Sequence, residues 1–175
     1  MKSISLLQIG VSVIVILVII FTVFSFKKKN REHGCELVMP INQSQAVIDR
    51  LDNDTSSFAS STIDLMGRSA EGGLQTNYTN GQVRQVVEQR FYGETGRSYM
   101  KFYYSKNKLF AIVKLNLTYA APLSVDNSGT VESSEERDYF LDQNGQVCNA
   151  FVNHISQPVD KDTQDMIAEY INGII

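Results

Sequence analysis

The chain carries few of the side chains that perform catalysis. Its 175 residues include two histidines, His33 and His154, two cysteines and no tryptophan. The nucleophile motif Gly-x-Ser-x-Gly and the metalloprotease motif His-Glu-x-x-His do not occur in the sequence. We therefore predict that the protein is not an enzyme and has no catalytic, cofactor-binding or metal-binding residues. The alternative is a cell-envelope hydrolase, or an enzyme accessory domain, that uses His154 with nearby carboxylates.

A run of acidic residues extends from Glu132 to Asp142. If this segment is a strand, Glu136, Asp138 and Asp142 lie on one face and Glu135 points to the other. A calcium site needs six to eight converging oxygen ligands, usually supplied by a loop. We interpret the acidic run as a solvated strand face.

Aromatic and basic residues on two neighbouring predicted strands form the best candidate for a binding surface. Tyr99 and Tyr103 flank Lys101 on one strand, and pairing as a hairpin would place Arg90 and Tyr92 beside them. A tyrosine buries a large ring and keeps a polar tip, which suits contact with a peptide or a glycan. The alternative is that helices cover this face and the rings belong to the core.

The two cysteines, Cys35 and Cys148, lie before the predicted domain and near the end of its β-rich region. A disulfide between them would indicate an oxidising compartment. The alternative is two unrelated thiols, because a sequence does not give the separation of two Cα atoms.

The residues 4–26 form an uncharged, apolar run of the length that spans a bilayer as a helix. The run ends in Phe24-Ser25-Phe26 and continues into lysines, which is not the cleavage site of a signal peptide. We predict a tail over 1–3 and an uncleaved transmembrane helix over 4–26 that contacts the lipid bilayer.

Charge is distributed unevenly along the chain. The flank of Lys27, Lys28, Lys29 and Arg31 favours a cytoplasmic domain under the positive-inside rule. The Ser-, Thr-, Asn- and Tyr-rich composition favours the opposite side, and we predict a single-pass protein of the bacterial inner membrane with an extracytoplasmic domain. Beyond residue 32, eleven Lys and Arg face eighteen Asp and Glu, so we expect no nucleic-acid binding.

Helices and strands of the remaining chain must position these residues. After a basic polar stem over 27–41, the apolar spacing predicts a helix over 43–66, with a weak point at 52–57. From 72 to 152 the pattern changes to period two, which is typical of strands.

Two Asn-Gly pairs, Asn80-Gly81 and Asn144-Gly145, predict hairpin turns within this region. A C-terminal amphipathic helix is predicted to begin at Asp160 or Asp162. The predicted fold is α+β: the transmembrane helix is followed by an antiparallel β-meander of about six strands. An N-terminal and a C-terminal helix flank the meander on one face, and the globular domain covers 42–175.

The turns and aromatic pairs also resemble a known pattern. Phe91-Tyr92-Gly93-Glu94-Thr95-Gly96, Tyr103-Tyr104 and Arg137-Asp138-Tyr139-Phe140 are similar to segments of small exported, membrane-associated bacterial proteins of unknown function. The resemblance covers about residues 70–150 and implies a location in the bacterial envelope, without catalytic residues. We predict a membrane-anchored, non-enzymatic binding or envelope-assembly module whose partner is an envelope protein, a peptide or a glycan. A structural spacer is a further alternative.

Overall fold

This computed structural model describes residues 35–65, 67, 71–126 and 128–174. The chain divides into two compact units, Met1–Cys35 and Glu36–Ile175, and the elements below belong to the second. Eight strands form one antiparallel sheet in which every strand pairs with the next along the chain. The elements, in chain order, are helix α1 (Ile41–Asp54), a 3-10 turn (Thr55–Ser57), β1 (Ala59–Asp64), β2 (Gly73–Asn80), β3 (Val83–Gly93), β4 (Gly96–Ser105), β5 (Lys108–Tyr119), β6 (Val131–Leu141), β7 (Val147–Val152), β8 (Ile155–Gln157) and helix α2 (Lys161–Asn172).

Both faces of the sheet are buried at its centre. Successive side chains of a strand point to opposite faces, and the neighbours Val86 and Val87 are 1% and 0% exposed. Val86 belongs to a cluster that includes Ile48 and Leu51 of α1. Val87 belongs to a second cluster that includes Ile167 of α2. The two helices therefore cover opposite faces, and we call them the α1 face and the α2 face.

The predicted arrangement of both helices on one face is wrong for a simple reason. Apolar side chains occupy both faces of the central strands, as in the register pair Val87 and Phe102 on the α2 face and Val86 and Tyr103 on the α1 face. A sheet with two apolar faces needs a cover on each.

The predicted fold class is also wrong in its strand count and in the length of the first helix. Helix α1 ends at Asp54, and the segment Ala59–Asp64 is a strand. The hydroxyl groups of Thr55 and Ser57 donate to the carbonyl oxygens of Leu51 and Asp54 at 2.8 and 2.6 Å. Such local bonds compete with helix continuation. With the short β8, this segment raises the number of strands from about six to eight.

The predicted single-pass membrane architecture requires a correction. Helices α1 and α2 have 14 and 12 residues. No helix within the described residues is long and apolar enough to span a membrane. The predicted span over 4–26 and its basic flank lie outside the described residues. The predicted transmembrane helix is therefore not part of the described architecture. The single-pass localisation that was predicted from it is corrected with it.

The turn signals of the sequence are confirmed. Residues Gly81 and Gln82 connect β2 to β3, and Gly81 has a φ of +60°. Gly145, in the turn between β6 and β7, has a φ of +81°. Glycine adopts this left-handed conformation without a steric penalty from a Cβ atom, so an Asn-Gly pair closes a tight hairpin.

Helix α2 begins with a side-chain cap. The Asp160 carboxylate accepts hydrogen bonds from the backbone N–H and the hydroxyl of Thr163, both at 2.8 Å. These bonds, the backbone one foremost, lower the pKa of Asp160 below its ordinary value. Of the two predicted caps, Asp160 is therefore the one that the structure uses.

We predict that Asp160→Ala lowers the midpoint of thermal unfolding by about 2–4 °C at pH 7. A carboxyl group with a lowered pKa in the folded state contributes stability above its unfolded pKa of about 3.9. That contribution is lost as the pH falls through the lower folded-state pKa, so wild type and variant should converge in acid. Asp162→Ala, in the same first turn, is the control and should cost less. Equal losses for the two variants at pH 7 would contradict the assigned cap.

Candidate ligand-binding cleft

Helix α1 covers only part of its face of the sheet. It packs where Val86, Tyr103 and Phe140 are buried. Further along the same strands the face opens into a cleft of about 440 Å³. The cleft is lined by Asp52, Glu88, Tyr99, Lys101, Tyr103, Val113, Leu115, Leu117 and Glu136.

The strand register brings the lining residues of β3 to β6 together. Lys101 of β4 pairs with Glu88 on one side and Val113 on the other. Two residues along β4, Tyr99 pairs with Arg90 and Leu115 in the same way. Because residues two apart in a strand share a face, a single register places all of these side chains on the α1 face.

The floor of the cleft is aliphatic. Val113, Leu115 and Leu117 follow one another at period two along β5, and each is partly exposed. The intervening residues Lys114 and Asn116 point to the α2 face. An aliphatic strip that a helix leaves partly open is a favourable contact surface for an apolar group.

One wall of the cleft is a hydrogen-bonded group that joins α1 to the sheet. The hydroxyl of Tyr103 donates to both carboxylate oxygens of Asp52 at 3.1 Å. The ammonium of Lys101 forms an ion pair with the same carboxylate at 3.0 Å. Tyr103 is 1% exposed. Burial, followed by the negative charge of Asp52, raises the pKa of Tyr103 well above its ordinary value, so its hydroxyl remains a donor.

A second polar group lies next to the first, on β3 and β2. Glu88 is 6% exposed, and its carboxylate pairs with Arg90 at 2.9 Å. The hydroxyl of Tyr78 donates to the same carboxylate oxygen at 3.4 Å. Burial, and then the charge of Glu88, raises the pKa of Tyr78. Arg90 therefore neutralises a buried carboxylate, as a nearly buried charge requires.

The predicted binding surface can now be located residue by residue. Tyr99, Lys101 and Tyr103 line the cleft, whereas Arg90 lies beside it and binds Glu88. Tyr92 pairs with Arg97, whose guanidinium lies 5.8 Å from the centre of the Tyr92 ring. All five residues share the α1 face, as the hairpin pairing predicts. Their role in binding remains a prediction, and Tyr103 is buried with its hydroxyl bonded to Asp52.

Other lining residues were not part of the predicted surface. The leucines of β5 show the period-two pattern in the sequence, but the pattern does not reveal how far a helix covers them. Asp52 enters from α1, 49 positions before its partner Lys101. Only packing of α1 on the sheet brings these groups together, so no local signal could identify Asp52.

The acidic run from Glu132 to Asp142 divides into separate environments. Glu135, on the α2 face, pairs with Arg137 at 2.7 Å. Asp142 accepts hydrogen bonds from the backbone N–H groups of Asn144 and Gln146 in the following turn. Glu136 and Asp138 remain on the α1 face, where His154 lies beside them. The three side chains offer ligand atoms that lie within 4.8 Å of one another.

Burial governs the acidity of one member of this group. Burial, and then the negative charge of Glu136, raises the pKa of Asp138, while His154 has a smaller opposing effect. The interpretation of the acidic run as a solvated face is therefore too simple for Asp138.

Both cysteines are disulfide-bonded, and no described cysteine is free. The chain has no cysteine other than Cys35 and Cys148, so a bond within one chain can join only these two. Cys148 belongs to β7, directly after the buried Val147.

We predict that Tyr103→Phe lowers the free energy of unfolding by about 1–2 kcal/mol, because the variant loses a hydrogen bond to a charged acceptor. Chemical denaturation measures this change. A double-mutant cycle with Asp52→Ala should show coupling between the two substitutions. Asp54→Ala, which removes a carboxylate at the same end of α1, is the control and should be additive with Tyr103→Phe. Additivity for both aspartates would contradict the assigned bond.

We also predict that reduction of the disulfide, or Cys148→Ser, lowers the midpoint of chemical denaturation. A cross-link that closes a loop of about 100 residues stabilises by about 4–5 kcal/mol in the chain-entropy account. A thiol-reactive reagent applied to denatured, unreduced protein checks the bond itself. Two reactive thiols per chain would show that the cysteines are unpaired.

In comparisons with known proteins, no family model, no curated protein and no solved structure matches this chain. The resemblance to small exported bacterial proteins therefore remains a prediction from the sequence pattern. Function has to be inferred from the cleft itself.

Proposed function

We propose that this protein is a non-enzymatic binding module and that its cleft takes a peptide with an apolar and a basic side chain. The observation that carries this proposal is the partly exposed aliphatic floor of Val113, Leu115 and Leu117 on a face that α1 otherwise covers. Burial of a leucine-sized group on such a floor supplies about 1.5–3 kcal/mol.

Charge favours a basic partner. Three carboxylates line the cleft, those of Asp52, Glu88 and Glu136, against the single ammonium of Lys101. Asp52 is already paired with Lys101, and Glu88 with Arg90. Glu136 takes part in none of the ion pairs between described residues. A cationic group of the ligand would therefore find an acceptor at Glu136, next to the aliphatic floor.

The nearby arginine does not cancel this preference. The guanidinium of Arg97 lies 5.8 Å from the ring centres of both Tyr92 and Tyr119. These contacts engage the guanidinium with tyrosine rings, and Arg97 is not among the residues that line the cleft. The aliphatic floor also favours a peptide with an apolar side chain over a glycan, because the hydroxyl groups of a glycan would lose hydrogen bonds to water on such a surface.

Three short capped peptides test the proposal in a buffer that contains EDTA: Ac-Leu-Lys-Leu-NH2, Ac-Leu-Glu-Leu-NH2 and Ac-Ser-Lys-Ser-NH2. The first should shift backbone NMR resonances around Lys101 and Leu115, with an affinity at least about tenfold above the other two. Loss of one apolar contact or of one charge-assisted bond each accounts for a factor of this size. Equal binding of all three peptides, or shifts confined to the α2 face, would contradict the proposal.

Matched substitutions locate the contact. Leu115→Asn should weaken binding of the first peptide about tenfold, because the floor loses its central aliphatic group. Val125→Asn is the control, since Val125 is 79% exposed and does not line the cleft. A similar loss in both variants would show that binding takes place elsewhere.

A further inference from the structure

Two strands and a tight turn hold Glu136, Asp138 and His154 together at one end of the α1 face. Glu136 and Asp138 lie two residues apart on β6 and share that face. Strand β7 pairs with β6 through Asp138 and Phe151. His154 lies in the two-residue turn that follows β7. One ligand atom from each of the three side chains lies within 4.8 Å of the others.

The turn is anchored to β6 by its first residue. The Asn153 side-chain oxygen accepts a bond from the backbone N–H of Glu136 at 2.9 Å. The backbone N–H of Asn153 donates to the carbonyl oxygen of Glu136 at 2.8 Å. Both Asn153 and His154 have positive φ angles, of 46° and 65°. This pair of bonds keeps the imidazole of the next residue beside the Glu136 carboxylate.

Among the described residues, no lysine or arginine forms an ion pair with Glu136 or Asp138. Arg137 points to the other face and pairs with Glu135, while Lys101 pairs with Asp52. Neither Glu136 nor Asp138 takes part in an ion pair between described residues. Two adjacent carboxylates therefore lie beside the imidazole of His154, and one of them, Asp138, is partly buried.

We propose that Glu136, Asp138 and His154 bind one divalent transition-metal ion, with Zn²⁺ as the best match. Carboxylate oxygens and an imidazole nitrogen are ligands that Zn²⁺ accepts at about 2.0–2.2 Å, whereas Ca²⁺ and Mg²⁺ select oxygen. Ligands of a tetrahedral ion lie about 3.5 Å apart. The ligand atoms of the three side chains lie within 4.8 Å of one another. Since Glu136 and Asp138 are only partly buried and His154 is exposed, rotation of these side chains can shorten the separations to the tetrahedral value.

Three protein ligands leave one tetrahedral position for water or for a further ligand. Glu136 also lines the cleft, so the ion would lie at the edge of that cleft. Because Glu136 is also the acceptor proposed for the basic side chain of the peptide, the ion and that side chain would compete for one carboxylate, so the two are tested under separate conditions. The proposal differs from the expectation, drawn from the sequence, of a protein without metal ligands, because pairing of β6 with β7 and the turn after β7 bring His154 to Glu136 and Asp138.

A zinc titration tests the site. The full chain is first stripped of metal with EDTA and dialysed, and it then competes with a chromophoric chelator for the added Zn²⁺. Wild type should bind one Zn²⁺ per chain. His154→Gln and Asp138→Asn should each weaken binding at least about tenfold, as expected for loss of one ligand. Zn²⁺ should raise the unfolding midpoint of wild type but not of His154→Gln, because only a folded site gains stability from its ligand.

Two matched variants separate coordination from general negative charge. Glu135→Gln removes a neighbouring carboxylate on the opposite face, and His33→Gln removes the other histidine of the chain; both should keep wild-type affinity. Absence of stoichiometric binding, or equal weakening in Glu135→Gln and Asp138→Asn, would overturn the proposal. The proposal would also be overturned if Ca²⁺ bound as tightly as Zn²⁺ and His154→Gln left that binding unchanged. This result would show that the carboxylates attract cations without a specific site. Peptide binding in EDTA is measured separately, so failure of one proposal does not decide the other.

Discussion

Burial of both faces of the central strands is the constraint on which the rest of this structure depends. The neighbours Val86 and Val87 are both almost completely buried, although they point in opposite directions. A strand cannot meet that condition unless each face receives its own cover. The meander occupies the middle of the chain, so one helix before it and one after it can supply the two covers without any long connection.

The cleft follows from a mismatch in length between the covering helix and the strands below it. Helix α1 has 14 residues and is about 21 Å long. Strand β5 has 12 residues and extends about 40 Å. The helix therefore leaves part of β5 uncovered, and the leucines of that part form the cleft floor. Polar groups at the boundary, Asp52 with Tyr103 and Lys101, then fix the end of the helix on the sheet.

Polar side chains inside the sheet are tolerated because they have partners. On the α2 face the amide of Gln89 donates to the Gln75 side chain at 2.9 Å and to the Gly173 carbonyl at 3.3 Å. On the α1 face Glu88 is neutralised by Arg90. Among the described residues, no buried side-chain nitrogen or oxygen lacks a hydrogen-bond partner. An unpaired polar group at such a depth would cost several kcal/mol, so these pairs constrain the register as well as the charge.

The turns and the alternating strands between 72 and 152 were readable from the sequence, because an Asn-Gly turn and period-two alternation are local properties of the chain. The strand Ala59–Asp64 could not be predicted from the sequence, because its Ser- and Thr-rich composition lacks a clear apolar period. It forms a strand only by pairing with β2. The same division applies to the candidate site. The shared face of Tyr99, Lys101 and Arg90 follows from hairpin pairing of adjacent strands.

The sequence by itself therefore determined the antiparallel hairpins between 72 and 152, their Asn-Gly turns and the shared face of Tyr99, Lys101 and Arg90. Tertiary structure alone decided which face each helix covers, how much of β5 remains open, and that Asp52 and His154 join residues of the sheet. The physical reason is range: hydrogen bonds within turns and the alternation of strands act over a few residues. The position of a helix on a sheet depends on contacts between residues that are some 50 positions apart, such as Asp52 and Tyr103.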